Sequence, residues 1–359
     1  MTSLPTGDLF ALTAALVDIP SESRNEQEIV QLLEDDLRSH AHLTVDRIGD
    51  NLVARTTLGR PRRLVLAGHT DTVPADGNAG ARIDGERMYG VGTTDMKGGI
   101  ATMLELARTM TAPAVDVTYV FYAREEIAVA NSGLLEIEAA RPELLEGDVA
   151  LLGEPTLGAV EAGCQGTMRI EISLVGARAH TARPWMGRNA IHRLGALLNI
   201  VGNYKPREPM IEGCAYREAL QAVHVEGGVA GNVVPDRAMM RLNHRFAPDR
   251  TVEEAEVFLR DLLAPAMAEG DTLEVVDASP AALPGLGDPL LAALIERGNL
   301  EVRAKLGWTD VAFFSARGVP ASNFGPGDAT IAHTADEYLE RQWLTDTHAA
   351  LVDLLTHGA

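Results

Sequence analysis

The sequence predicts an α/β protein of two domains, in which a mixed-sheet domain is interrupted by a smaller α+β sandwich. Three observations carry that expectation. The chain has 359 residues, beyond the roughly 250–300 at which a single hydrophobic core stops growing. Short apolar, β-branched-rich runs alternate with helix-like stretches, and three of the runs end on His or Glu. Finally, the islands of acid and histidine that follow such runs stop after Glu154 and restart only at His333, so the chain between them reads as an insertion.

Taken in order, residues 63–68 form a buried-strand pattern followed at once by His69. Residues 90–99 form a Gly-flanked turn carrying Asp95, ahead of a helix-like stretch at 100–107. The run 115–123 is rich in β-branched and aromatic residues and delivers Arg124, Glu125 and Glu126 at its end. Residues 148–153 do the same for Glu154. Inside the insertion, 167–175 alternates like a half-exposed strand, 189–201 reads as a helix, and 239–246 is again strand-like. An amphipathic helix is expected over 251–268, with Thr251 as its cap and Glu254 completing a capping box. Further strands fit near Ala222 and Leu273, and the Pro-rich stretch 279–285 suits a hinge. There is no internal repeat and no low-complexity tract.

In open α/β sheets ligands gather at the carboxyl ends of strands, so three strand exits bearing His or Glu can converge on one site. A single Glu after a strand is usually solvated. The pair Glu125 and Glu126 says more, because neighbouring side chains on an extended chain point to opposite sides. One can ligate a metal while the other faces a substrate water. Asp95, on its turn, is a short carboxylate able to bridge two cations. Asp71, two residues after His69, is placed to accept the second imidazole N–H and fix its tautomer.

Bulk properties narrow the function classes. A net charge of −20 argues against nucleic-acid binding, since a phosphate backbone would be repelled. Two cysteines, Cys164 and Cys214, are too few for a disulfide framework and suit a reducing cytosol. The N-terminal stretch, residues 1–8, lacks a basic region followed by an apolar run, and no stretch of about 18 uninterrupted apolar residues occurs, so neither secretion nor membrane spanning is expected. Between Gly176 and Arg193 stand Arg178, Arg183, Arg188 and Arg193 with no acid among them. This reads as an anion-attracting rim, because Arg recognises carboxylates bidentately.

The segments around Gly68-His69-Thr70-Asp71, Asp95-Met96-Lys97-Gly98-Gly99, Glu125-Glu126, Gly153-Glu154-Pro155-Thr156 and Ala332-His333 resemble, in that order, the signature set of the di-zinc aminoacylase and carboxypeptidase family. That family includes acetylornithine deacetylase, glutamate carboxypeptidases and succinyl-diaminopimelate desuccinylase. The resemblance implies a two-domain zinc-peptidase-like fold holding two Zn2+ per subunit, with Co2+ able to substitute. It implies that His69 and Glu154 hold one zinc, Glu126 and His333 the other, that Asp95 bridges them through a cis Asp95–Met96 peptide, and that Glu125 is the general base. It places a lid domain at 165–280, between catalytic segments 1–164 and 281–359, and assigns it to homodimerisation. Through that dimer, His180 would donate to the developing oxyanion of the partner's site. Asn232, Arg245 and Thr309 are implied as substrate contacts.

Within the family, residues 179–187, 231–236 and 307–311 look most like the desuccinylase branch of actinobacteria, which acts on N-succinyl-L,L-diaminopimelate in the cytoplasm. Where proteobacterial desuccinylases carry basic residues, this chain has Gly163-Cys164-Gln165-Gly166, which removes a carboxylate contact or moves it elsewhere, with Arg178 as one candidate. Two other readings stand beside this one: another N-acyl amino-acid amidohydrolase such as acetylornithine deacetylase, and a non-catalytic binding or scaffolding homologue. The intact Glu125 and five ligands speak against the last.

Overall fold

The computed structural model describes residues 4–359; Met1, Thr2 and Ser3, part of the stretch read for a secretion signal, lie outside them. The chain runs through α1 (Leu9–Val17), α2 (Gln27–Arg38), β1 (Thr44–Ile48), β2 (Asn51–Arg55), β3 (Arg63–His69), β4 (Arg82–Asp84), β5 (Arg87–Tyr89), α3 (Gly98–Thr109), β6 (Asp116–Tyr122), α4 (Gly133–Ala140), β7 (Val149–Leu152) and β8 (Val160–Ala162). Then come β9 (Gly166–Val175), α5 (Ala190–Gly202), the short hairpin β10 (Met210–Ile211) and β11 (Cys214–Ala215), β12 (Ala219–Gly227), β13 (Arg237–Phe246), α6 (Val252–Leu263) and β14 (Thr272–Ser279). It closes with α7 (Pro289–Gly298), β15 (Val302–Ala304), α8 (Val311–Ser315), β16 (Ala321–Asn323), β17 (Tyr338–Glu340) and α9 (Arg341–His357).

Two compact units result. One takes the described residues up to Ala162 with Pro284–Arg303 and Phe313–Ala359; the other takes Gly163–Leu283 and Ala304–Ala312. The excursion Ala304–Ala312 corrects the sequence expectation, which gave it to the catalytic segments. Its backbone is claimed by the start of the second unit: Gln165 donates from its amide nitrogen to the Lys305 carbonyl (3.2 Å) and from its side chain to that of Leu306 (3.2 Å). Thr309 is therefore a residue of the second unit.

In the first unit an eight-stranded sheet has the order β1-β2-β6-β3-β7-β16-β8-β15. Its centre, β6-β3-β7-β16, is parallel, while β1, β2 and β8 join antiparallel. Leu64 and Leu66 of β3 and Val117, Tyr119 and Phe121 of β6 pack with Leu12, Leu33, Leu104 and Leu354 of the flanking helices. The residues pointing the other way, Val65, Ala67 and Val120, are buried as well. Strands covered on both faces read as continuous apolar runs, which is what the sequence shows there.

The second unit is a four-stranded antiparallel sheet, β12-β13-β9-β14, with α5 and α6 on one face. Met168, Ile170, Ile172 and Leu174 alternate along β9 into a core shared with Leu194, Leu197, Leu259 and Leu263. Thr251 and Glu254 form the expected capping box. The helix stops at Leu263 and gives way to a tight turn, Ala264–Ala266, short of the expected 268. Pro265 is the reason, since proline lacks the N–H that would continue the ladder.

Candidate metal centre

Parallel pairing sends β3, β6 and β7 out of the sheet at one edge. His69 pairs with Tyr122 and Ala67 with Leu152, so Glu125, Glu126 and Glu154 leave beside His69. Between β3 and β6, Gly92 with φ of 80° turns the chain into the Asp95 loop, and the Asp95–Met96 peptide is cis, as the family resemblance implies. Helix α3 then starts close against β7: a Cβ on Gly99 would lie 2.3 Å from the Gly153 carbonyl oxygen. Only glycine permits that approach.

At this edge His69 Nε2 lies 3.1 Å from Asp95 Oδ1, and His333 Nε2 lies 3.4 Å from Asp95 Oδ2 and 2.9 Å from Glu126 Oε1. Each oxygen of Asp95 thus faces a different imidazole. His69, Asp95 and Glu126 offer ligand atoms that all lie within 4.8 Å of one another. His333 joins them through its contacts to Asp95 and Glu126. Glu154 is buried, at 6 % exposure, two residues past the end of β7, and stands outside the tight triple.

Asp71 does more than the sequence reading assigned to it. Its backbone carbonyl, 3.0 Å from His69 Nδ1, is nearer to the imidazole than its carboxylate, at 3.5 Å. The carboxylate also accepts from the Glu125 and Glu126 N–H groups, at 3.0 and 3.1 Å, one on each oxygen, and from the Ser23 hydroxyl at 2.7 Å. One residue therefore orients the His69 ring and the Glu125-Glu126 turn together. Ser23 and Glu337 were missed by sequence reasoning. Glu337, 1 % exposed, accepts from the Thr94 and Asp95 N–H groups at 2.9 and 3.1 Å. Ser23 carries no signal, lying 48 positions from Asp71; Glu337 at least stands near His333 in the sequence.

The electrostatics favour positive charge. Hydrogen bonds donated to Asp95 and Glu126 lift His333 to about 10. Burial opposes protonation of His69, yet its bonds to Asp71 and Asp95 raise it well above the ordinary imidazole value. Burial likewise opposes ionisation of Asp95, and the two imidazoles still hold it well below the usual carboxylate range. Carboxylates that stay ionised beside imidazole nitrogens are the donor set of divalent transition metals. The residues present fit a pair of such cations, since Asp95 directs its two oxygens at two separate imidazoles.

In the second unit, His180 is exposed and its Nδ1 accepts from the Ala182 N–H at 3.0 Å. Asn232 lies close by through its carbonyl, which accepts from the Thr181 N–H at 3.0 Å. Arg245 lines a cavity of about 710 Å3 together with Gln165 and Arg217. Arg178 is elsewhere, paired with Asp236 at 2.8 Å. Arg193 is ion-paired with Asp271, which reaches its Nη1 at 2.7 Å. The expected arginine rim is thus corrected: two of its four cations are neutralised by acids that lie far away in sequence, leaving Arg183 and Arg188.

Residues 65–357 match the model of peptidase family M20/M25/M40. The chain is 49 % identical over 350 residues to a candidate succinyl-diaminopimelate desuccinylase of Mycobacterium tuberculosis, covering 97 % of each chain. It is 45 % identical over 356 residues to the succinyl-diaminopimelate desuccinylase of Corynebacterium glutamicum, covering 98 % of this chain and 96 % of that one. With the acetylornithine deacetylase of Shigella sonnei the identity is 31 % over 316 residues, covering 82 % and 80 %. A Bacillus subtilis dinuclear metal binding peptidase of the M20 family superposes with a TM-score of 0.70 at 17 % identity, covering 97 % of this chain and 96 % of that one, a likeness of fold. This chain belongs to peptidase family M20/M25/M40, a family of metallohydrolases, as its five motifs led us to expect. Among the described residues no helix is long and apolar enough to cross a membrane.

Proposed function

We propose that this chain is a di-zinc amidohydrolase that cleaves N-succinyl-L,L-diaminopimelate to succinate and L,L-diaminopimelate, a cytoplasmic step toward lysine and peptidoglycan precursors. The observation that carries the reading is the imidazole and carboxylate centre, clamped by Asp71, in a chain whose identity to desuccinylases is 45–49 % against 31 % to a deacetylase. His69 and Glu154 would hold one zinc and Glu126 and His333 the other, with Asp95 between them and Co2+ able to replace zinc. When bound, such a pair supplies Lewis-acid polarisation and an acidified water. Glu125 would take a proton from a water as its oxygen bonds to the acyl carbon, and return that proton to the leaving amine as the C–N bond breaks. Its backbone N–H is held by Asp71, which supports a fixed carboxylate position.

The second unit, in this reading, is a lid that pairs two chains into a homodimer and presents His180 to the partner's oxyanion. Asn232, Thr309 and Arg245 hold the polar and carboxylate groups of the substrate. Among the described residues no carboxylate lies within ion-pair distance of Arg245, so it is available to a succinyl group, with Arg217 on the same cavity. Arg178, committed to Asp236, is the weaker candidate. The test is turnover of N-succinyl-L,L-diaminopimelate against N-acetylornithine by the wild type and by Arg245→Ala. We expect preference for the succinyl substrate and a selective loss of about 10- to 100-fold in kcat/KM on it, the worth of a charge-assisted bond. Faster turnover of N-acetylornithine by the wild type overturns the substrate assignment.

A further inference from the structure

We infer that Glu337 is a positioning residue that ties the Asp95 loop to the His333 loop and so holds the bridge between the two cations in place. This rests on the metal reading above. Glu337 is buried close to this centre, yet it is not one of the three residues whose ligand atoms cluster there. Its Oε1 accepts from two successive backbone donors, Thr94 N at 2.9 Å and Asp95 N at 3.1 Å.

The backbone around it knits the same two loops. Gly90 N donates to the Glu337 carbonyl at 3.1 Å, and Glu337 N donates to the Thr334 carbonyl at 3.2 Å. Thr94 Oγ1 donates to the Tyr338 carbonyl at 2.8 Å, and Tyr338 pairs with Tyr89 between β17 and β5. Thr94 is itself buried, at 0 % exposure, so its N–H has no water to turn to. A buried N–H left without its acceptor is costly whether that acceptor is charged or neutral. Removing the acceptor leaves two donors unsatisfied where Asp95 must present one oxygen to each side.

The experiment uses the full chain stripped of metal, with zinc alone as the probe. Zinc affinity is read by chelator competition, and the Tm of the metal-free protein is recorded beside it. Glu337→Ala should weaken zinc binding by about 10- to 100-fold, the range for loss of a group that orients a metal ligand, while the metal-free Tm of Glu337→Gln stays near wild type. Glu337→Gln keeps an oxygen at the same reach and should retain most of the affinity. Glu337→Asp, one methylene shorter, should behave like Glu337→Ala, and it serves if the alanine variant does not fold. Wild-type affinity in Glu337→Asp, or a Gln variant as weak as the Asp variant, overturns the positioning role. A wild type that takes up no zinc overturns instead the metal reading beneath it, and the two failures are told apart by that measurement.

Discussion

The ligand-bearing edge of the first unit and the stretch of the second unit that carries His180 and Asn232 hold their polar groups in opposite ways. At the edge His69, Asp71 and Glu154 are buried, Asp95, Glu125 and Glu126 are half-buried and His333 is exposed, yet the groups are cross-held by residues distant in sequence: Asp71 by Ser23 and the Glu125-Glu126 backbone, Asp95 through Glu337. In the second unit His180 is exposed and its ring is held by one local N–H, that of Ala182. The first arrangement is preorganised before any ligand arrives. The second suits a group that completes its site only when substrate and a partner surface are present.

Substitutions in each region separate the two arrangements. Glu125→Gln should lower kcat by about 100- to 10,000-fold, the range for a general base, with zinc content unchanged by elemental analysis. Near-normal turnover would mean that the rigid edge does not supply the base. His180→Ala should cost on the order of 100-fold, as loss of an oxyanion donor does. If the chain forms the proposed homodimer with sites shared between subunits, mixed dimers of His180→Ala with Glu125→Gln chains should regain activity, because one of their two sites would then have both groups. Verified heterodimers that stay inactive would confine His180 to its own chain or to no role.

A smaller effect contrasts the two interiors. His244 in the second unit is fully buried, its ring beside Phe246 and Phe258 with centroids 5.8 and 5.5 Å away, and neither nitrogen has a partner among the described residues. Burial pushes its pKa down to about 4, with Glu218 opposing and Arg250 and Arg207 assisting. Below about 6.5 the unfolded chain takes up a proton that the folded chain refuses. Stability is therefore intact above pH 6.5 and declines as pH falls toward 4, by about 3 kcal/mol in all. His244→Leu should flatten the fall in denaturant midpoint between pH 7 and pH 5. Parallel wild-type and variant curves would show that His244 is not the group responsible.

Much of the first unit could be read from sequence because its chemistry is spelled locally. A run buried on both faces ends on His69 or Glu154, and the chain announces both strand and side chain within a few residues. The alternation of β9 and the capping box of α6 were legible for the same reason. What could not be read depends on distant pairing. Asp236 and Asp271, 58 and 78 positions from the arginines they neutralise, empty the apparent arginine rim of half its free charge. Thr309 changed units because Gln165 claims the backbone of its neighbours. Glu337 lies four positions after His333, but nothing local announces that its carboxylate accepts from Thr94 and Asp95.

The grip of Asp71 also sets how this part of the molecule can change over evolutionary time. Its two oxygens meet two consecutive N–H groups, an alignment reached through Arg124 in the left-handed region, φ 64°. An inserted or deleted residue between Tyr122 and Glu126 would put the wrong amide opposite each oxygen and rotate both glutamates away from His333. Length variation in relatives should accordingly collect at the other end of the sheet, as in the exposed stretch joining β2 to β3, while the three residues after Tyr122 keep an invariant count. The same constraint advises against grafting a longer loop there when redesigning specificity, because the distance of Glu125 and Glu126 along the chain from the strand is fixed.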